Sequence, residues 1–151
     1  HTVTEMITGT DLVSMGIRVA SGEKIMLKQE DVNINGHAIQ VRINAENPVT
    51  LAPSPGKLWD CHWPGGPGVR IDTHAYTGYD MPASFDSLLA KLIVWAPSRE
   101  ESIAKLKAAL SEIKLSGVDT LIPLHQAILS ENDFRKRNIT IHYLEDHKNL
   151  L

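Results

Sequence analysis

The stretch Phe85–Ala96, FDSLLAKLIVWA, is apolar on both of its faces apart from Asp86, Ser87 and Lys91. A strand wet on one side alternates apolar and polar residues. A strand that does not alternate must be covered on both sides. The segment therefore reads as a central strand and demands a sheet with protein packed above and below it. Lys91 in such a strand needs a partner. Asp86 is one candidate, and solvent at the strand ends is the alternative.

His37–Pro48, HAIQVRINAENP, reads as a second strand. Ile39, Val41 and Ile43 share one face, while Ala38, Gln40, Arg42 and Asn44 share the other. The turn dipeptide Asn35-Gly36 leads in and Asn47-Pro48 ends it. Arg42 sits mid-strand with no carboxylate beside it. A permanently charged planar fork on a stiff scaffold suits a carboxylate, phosphate or enolate oxygen. The same pattern also fits a solvated surface arginine or one paired to a distant acid, and the spacing leaves both open.

The remaining elements follow from local signals. His1–Thr8 is rich in Thr and Val and reads as extended. Thr10-Asp11 caps a helix over Leu12–Ala20, whose stripe of Leu12, Met15 and Val19, with Val13 and Ile17 beside it, is expected in the core. Lys57–Trp63 and Val69–His74 alternate on either side of PGGPG (Pro64–Gly68), which reads as a hairpin connection. The glycine run has no Lys-Ser/Thr end and no helix after it, so it is not a phosphate loop. Ala75–Ser84 reads as a loop. Ser98 with Glu101 forms a capping box. It opens a helix with Ile103, Leu106, Leu110 and Ile113 in one stripe and Gly117 as its stop. Asp119-Thr120 caps a second helix near Leu121–Leu129, and a short polar helix near Leu144–Leu151 closes the chain. Strands first and helices after give an α+β class, a mostly antiparallel β-sheet flanked by helices.

Composition excludes several functions. The net charge is −3, which argues against nucleic acid and anionic membrane as partners. No apolar run has membrane-spanning length. A single cysteine, Cys61, permits no internal disulfide and fits a cytoplasmic location. Lying between Trp59 and Trp63, it reads as a small buried residue. No Ser/His/Asp set, paired-carboxylate spacing or metal-ligand cluster stands out, so no metal site is assigned. The chain opens on His1, which suggests a segment of something longer.

Six blocks in order, HTVTEMITGTDL, GHAIQVRINAENP, PSPGKL, PGGPGVRID, YDMPASFDSLLAKLI and TIHYLE, resemble the C-terminal domain of biotin carboxylase. This is the biotin-carboxylating part of acetyl-CoA, pyruvate and propionyl-CoA carboxylases. The resemblance spans residues 1–151. It implies that an N-terminal domain and the ATP-grasp domain, with the ligands for Mg2+ or Mn2+, lie upstream, and that this part alone is inactive. In the implied ligase reaction ATP phosphorylates bicarbonate to carboxyphosphate. The released phosphate deprotonates biotin held on a carrier protein, and the enolate attacks CO2. Arg42 matches the family's catalytic, biotin- and bicarbonate-contacting arginine. Ile141 and His142 match a segment near the adenine of ATP. Arg70 and Asp86 match positions around the dimer interface and the cleft. Implied partners are the biotin carboxyl carrier protein, carboxyltransferase subunits and a second copy in a homodimer. Pro67 stands where bacterial relatives place an interface aromatic. The first half-reaction of acetyl-CoA carboxylase, in fatty acid biosynthesis, is the implied role. The same domain of pyruvate or propionyl-CoA carboxylase is an alternative. A non-catalytic β-rich interaction module is the other. A fragment of a larger enzyme should expose an apolar patch where the rest docks.

Overall fold

The computed structural model describes residues 1–147 and 150. Strand β6 (Leu88–Ala96) lies in the middle of a three-stranded sheet, between β1 (His37–Asn44) and β4 (Val69–Thr73). Two small ribbons flank it. One pairs β2 (Gly56–Lys57) with β5 (Asp80–Met81), and the other pairs β3 (Asp60–His62) with β7 (Lys114–Ser116). All four pairings are antiparallel, and the α+β class stands. The helices are α1 (Thr2–Thr8), α2 (Leu12–Ala20), α3 (Arg99–Glu112), α4 (Ile122–Ser130), α5 (Asn132–Arg135) and α6 (Tyr143–Asp146).

One sheet face carries Ile39, Val41 and Ile43, with Ala90, Leu92 and Val94 opposite them on β6 and Val69 and Ile71 on β4. Helix α3 covers this face with Ile103, Leu106, Ala109 and Leu110. The expected box starts it: the Glu101 N–H donates to Ser98 Oγ, and the Ser98 N–H donates to Glu101 Oε2. A second core of Ala45, Leu58, Ala75, Met81 and Leu89 lies under the ribbons.

Several expectations are corrected. His1–Thr8 is helical, not extended. Its Thr and Val content is outweighed by tertiary anchors on the sheet, where Thr2 Oγ1 donates to Gln40 and Glu5 pairs with Arg70. Helix α2 has the expected bounds but buries no residue, and Val13 and Ile17 are 65% and 67% exposed. Its stripe borders a hollow lined by Met15, Val19, Ile25, Met26 and Leu27 rather than the core. PGGPG is no hairpin, because β3 pairs with β7 and β4 with β6. Lys57–Trp63 is not one strand: fully buried Leu58 and exposed Trp59 lie in a break between β2 and β3. The loop after His74 contains β5. Helix α3 ends at Glu112, and Gly117 instead follows β7. Asp119 accepts from Asn47 Nδ2 and does not cap α4, whose N-cap Leu121 makes no side-chain bond. Part of the expected final helix, residues 148, 149 and 151, lies outside the described residues.

Strand β1 is at a sheet edge, yet three of its carbonyls are engaged from outside the sheet. His37 O accepts from Ser102 Oγ at 2.8 Å, Arg42 O from His125 Nε2 at 2.8 Å, and Asn44 O from the Leu121 N–H at 3.3 Å. Residues of α3 and of α4 with its cap thus hold the strand that carries Arg42.

Candidate active site

The second face of the three-stranded sheet carries a row of charged residues. Register places Arg42 opposite Lys91, and Lys91 opposite Asp72 on β4. Two residues along, Gln40, Ile93 and Arg70 form the next row. Helix α1 contacts β1 and β6, and its Thr2 and Glu5 bond to Gln40 and Arg70 of that second row. Ile93 is fully buried.

Arg42 is exposed, and among the described residues its guanidinium has no hydrogen-bond or ion-pair partner. Its backbone carbonyl can only accept, so the bond from His125 requires a proton on Nε2. Burial pushes the His125 pKa down and favours the neutral ring that supplies this single donor. Lys91, half-buried in the central strand, has no ion pair among the described residues either. The candidate partner Asp86 is elsewhere: its Oδ1 accepts from the Leu88 N–H at 3.1 Å. Asp72 is occupied, because Arg70 grips both its oxygens at 2.8 Å.

Arg70 also donates to Glu5 Oε2 at 2.7 Å, and Glu5 Oε1 accepts from the Leu12 N–H. One buried carboxylate thus ties α1, the start of α2 and β4 together. The Arg70 bond holds the Glu5 pKa below its ordinary 4.5, against the opposing effect of burial. Ionised Glu5 therefore stabilises the fold above about pH 4.5. That contribution fades as pH falls below it through the depressed folded value. In Arg70→Met the carboxylate is left buried without its cation. We expect a loss of about 2 kcal/mol at pH 7. The Tm gap to wild type should narrow on acidification below pH 4.5, read by thermal unfolding at both pH values.

Ile141 is 96% exposed in the turn before α6, and His142 Nδ1 lies 2.8 Å from Glu145 Oε2. Neither has a hydrogen bond or ion pair to Arg42, Arg70 or Asp86 among the described residues. The geometry thus groups Arg42 and Arg70 on one sheet face and puts Asp86 beside the start of β6. Ile141 and His142 stand apart. Sequence reasoning misses Glu5 and His125, and of its two alternatives for Lys91 the Asp86 pair is not formed. A lone glutamate in TVTEMIT and a lone histidine in IPLHQAIL are the only local signals.

Half-buried Cys61 donates to Ala75 O, and burial raises its thiol pKa, so it packs as a small inert residue. Among the described residues no group of three or more His, Cys, Asp or Glu could hold a metal ion. No helix among them is long and apolar enough to cross a membrane.

The family model of the biotin carboxylase C-terminal domain matches residues 40–146. The chain belongs to that family. Biotin carboxylase of Haemophilus influenzae is 52% identical over 145 residues, covering 96% of this chain and 32% of that protein. A pyruvate carboxylase subunit of Methanothermobacter thermautotrophicus is 48% identical over 149 residues, covering 98% of this chain and 30% of that protein. The biotin carboxylase domain of Hydrogenobacter thermophilus 2-oxoglutarate carboxylase was solved as a dimer with MgADP, ADP and bicarbonate. It superposes with a TM-score of 0.96 at 45% identity, covering 99% of this chain and 33% of that chain. This biotin carboxylase C-terminal domain therefore spans about a third of the length of the curated relatives it matches.

Proposed function

We propose that residues 1–151 form the C-terminal domain of an ATP- and bicarbonate-dependent biotin carboxylase, with Arg42 as its catalytic, anion-holding residue. The observation that carries this is the exposed Arg42 guanidinium, on a sheet face directly opposite Lys91, with neither cation ion-paired among the described residues. Such a fork can bind a bicarbonate or phosphate oxygen and hold negative charge on the ureido oxygen of biotin. Biotin, borne by a carrier protein, supplies the nitrogen that accepts the carboxyl group. This chain's part is to bind, orient and neutralise charge. ATP and Mg2+ or Mn2+ would be held mainly by the N-terminal and ATP-grasp domains. Ile141, with its exposed side chain, and His142 suit packing beside the adenine.

The exposed apolar side of α2 suits docking of those other domains. Acetyl-CoA carboxylase is the proposed assembly, with the carrier protein and carboxyltransferase as partners and the cytoplasm as location. A relative named simply biotin carboxylase, at 52% identity, is compatible with it. The pyruvate carboxylase relative at 48% keeps that enzyme and propionyl-CoA carboxylase as the second reading. A homodimer would use the edge near Arg70. Pro67 offers no aromatic there, and its carbonyl already accepts from Lys105 Nζ at 2.9 Å. The test is bicarbonate-dependent ATP cleavage with free biotin by the full-length protein, wild type against Arg42→Ala. Biotin-stimulated turnover that collapses in the variant supports both enzyme and residue. No turnover from folded wild type overturns the reading in favour of an interaction module.

A further inference from the structure

Two cations placed directly opposite each other on neighbouring strands repel, and such pairs destabilise a sheet. Arg42 and Lys91 are such a pair, and neither has a carboxylate within ion-pair distance among the described residues. The acids around them are already engaged. Asp72, opposite Lys91, is held at both oxygens by Arg70. Glu5 is bound to Arg70 and the Leu12 N–H. Glu46 accepts from Asn44 Nδ2 and from the Ser87 hydroxyl through one oxygen. Arg70 with Asp72 and Glu5 makes a group of net charge −1 whose bonds are spent on one another, so with Arg42 and Lys91 the row keeps a net +1 carried by two cations without an ion-pair partner among the described residues. Lys91 rises from the central strand, fixed by hydrogen bonding on both sides, and is half-buried. A cation so placed gains most from an anion lying between it and its neighbour.

We propose that Lys91 is the second cation of the Arg42 site, and that the two together hold one small oxyanion of the bicarbonate or phosphate class. Arg42 supplies the planar two-point grip and Lys91 a compact point charge from the other side. The inference rests on the biotin carboxylase reading and adds a specificity-determining residue to it.

The experiment uses the full-length enzyme with Lys91→Met, which keeps the apolar stem, and Lys91→Arg, which keeps the charge. In Lys91→Met we expect the KM for bicarbonate to rise on the order of tenfold, the loss of one charge-assisted contact. The KM for ATP should move less than about twofold, a split that a general packing defect would not give. Lys91→Arg should recover most of the loss. If the bound anion is phosphate instead, the bicarbonate KM holds and product inhibition by inorganic phosphate weakens by a similar factor. Unchanged bicarbonate KM together with unchanged phosphate inhibition in folded Lys91→Met overturns the proposal and leaves the enzyme reading intact. If wild type shows no bicarbonate-dependent turnover, the enzyme reading fails. Calorimetric titration of inorganic phosphate into wild type and Lys91→Gln then decides the receptor: binding that is absent, or equal in both, overturns it.

Discussion

Arg42→Ala in the full-length enzyme should lower biotin-dependent turnover by roughly a hundred- to a thousandfold, the usual cost of losing one donor aimed at developing negative charge. Stability should not follow. The guanidinium makes no bond to the described protein, and its removal relieves repulsion across β1 and β6, so Tm should hold or rise slightly. Activity and stability moving apart is the signature of a residue kept for its ligand. Arg42→Lys retains the charge and loses the fork, and we expect it to fall at least about tenfold below wild type. Near-normal turnover in Arg42→Lys would remove the bidentate role, since a point charge would then suffice.

The second large effect is structural. Gly117 lies at φ +102°, just after β7, where the chain crosses the break between β2 and β3. A Cβ there would overlap the Lys57 carbonyl oxygen and sit 2.9 Å from a Trp59 ring carbon. The Trp59 ring can swing into solvent, but the Lys57 carbonyl belongs to the backbone leading from β2 and cannot. Gly117→Ala therefore combines a left-handed backbone with an unavoidable overlap. We expect a loss of roughly 3 kcal/mol or more. For a chain of this size that is about 10 °C in Tm. Thermal unfolding checks it, and a shift under about 2 °C would mean that the ribbons move apart freely.

How much of this is legible in the sequence follows from the range of each signal. The β6 segment LLAKLIVWA declares its central place through its own composition, and Ser98 with Glu101 fixes a helix start within four residues. Arg42 on the polar face of β1 is visible from simple alternation. What alternation cannot reveal is register with strands far along the chain. Proximity in sequence offers Lys91 only its near neighbour Asp86 or solvent, whereas pairing with β1 puts it against Arg42, 49 positions away. The same distance problem hides the Glu5–Arg70 bond, and with it the helical state of α1. PGGPG misleads because hairpins are the common use of such a run. Here its flanking strands go to different partners. The stripe on α2 shows the converse: a periodic apolar pattern does not guarantee burial, and this helix buries no residue.

The edge of β1, which no further strand pairs among the described residues, bears on how such a domain behaves when crowded among its own copies. An open strand edge is a template on which further chains can stack into fibrils. With Ser102, His125 and the Leu121 amide occupying carbonyls along this one, an incoming strand would find those acceptors taken. The domain can leave the charged face that carries Arg42 open to water without offering the adjoining backbone as a seed for aggregation.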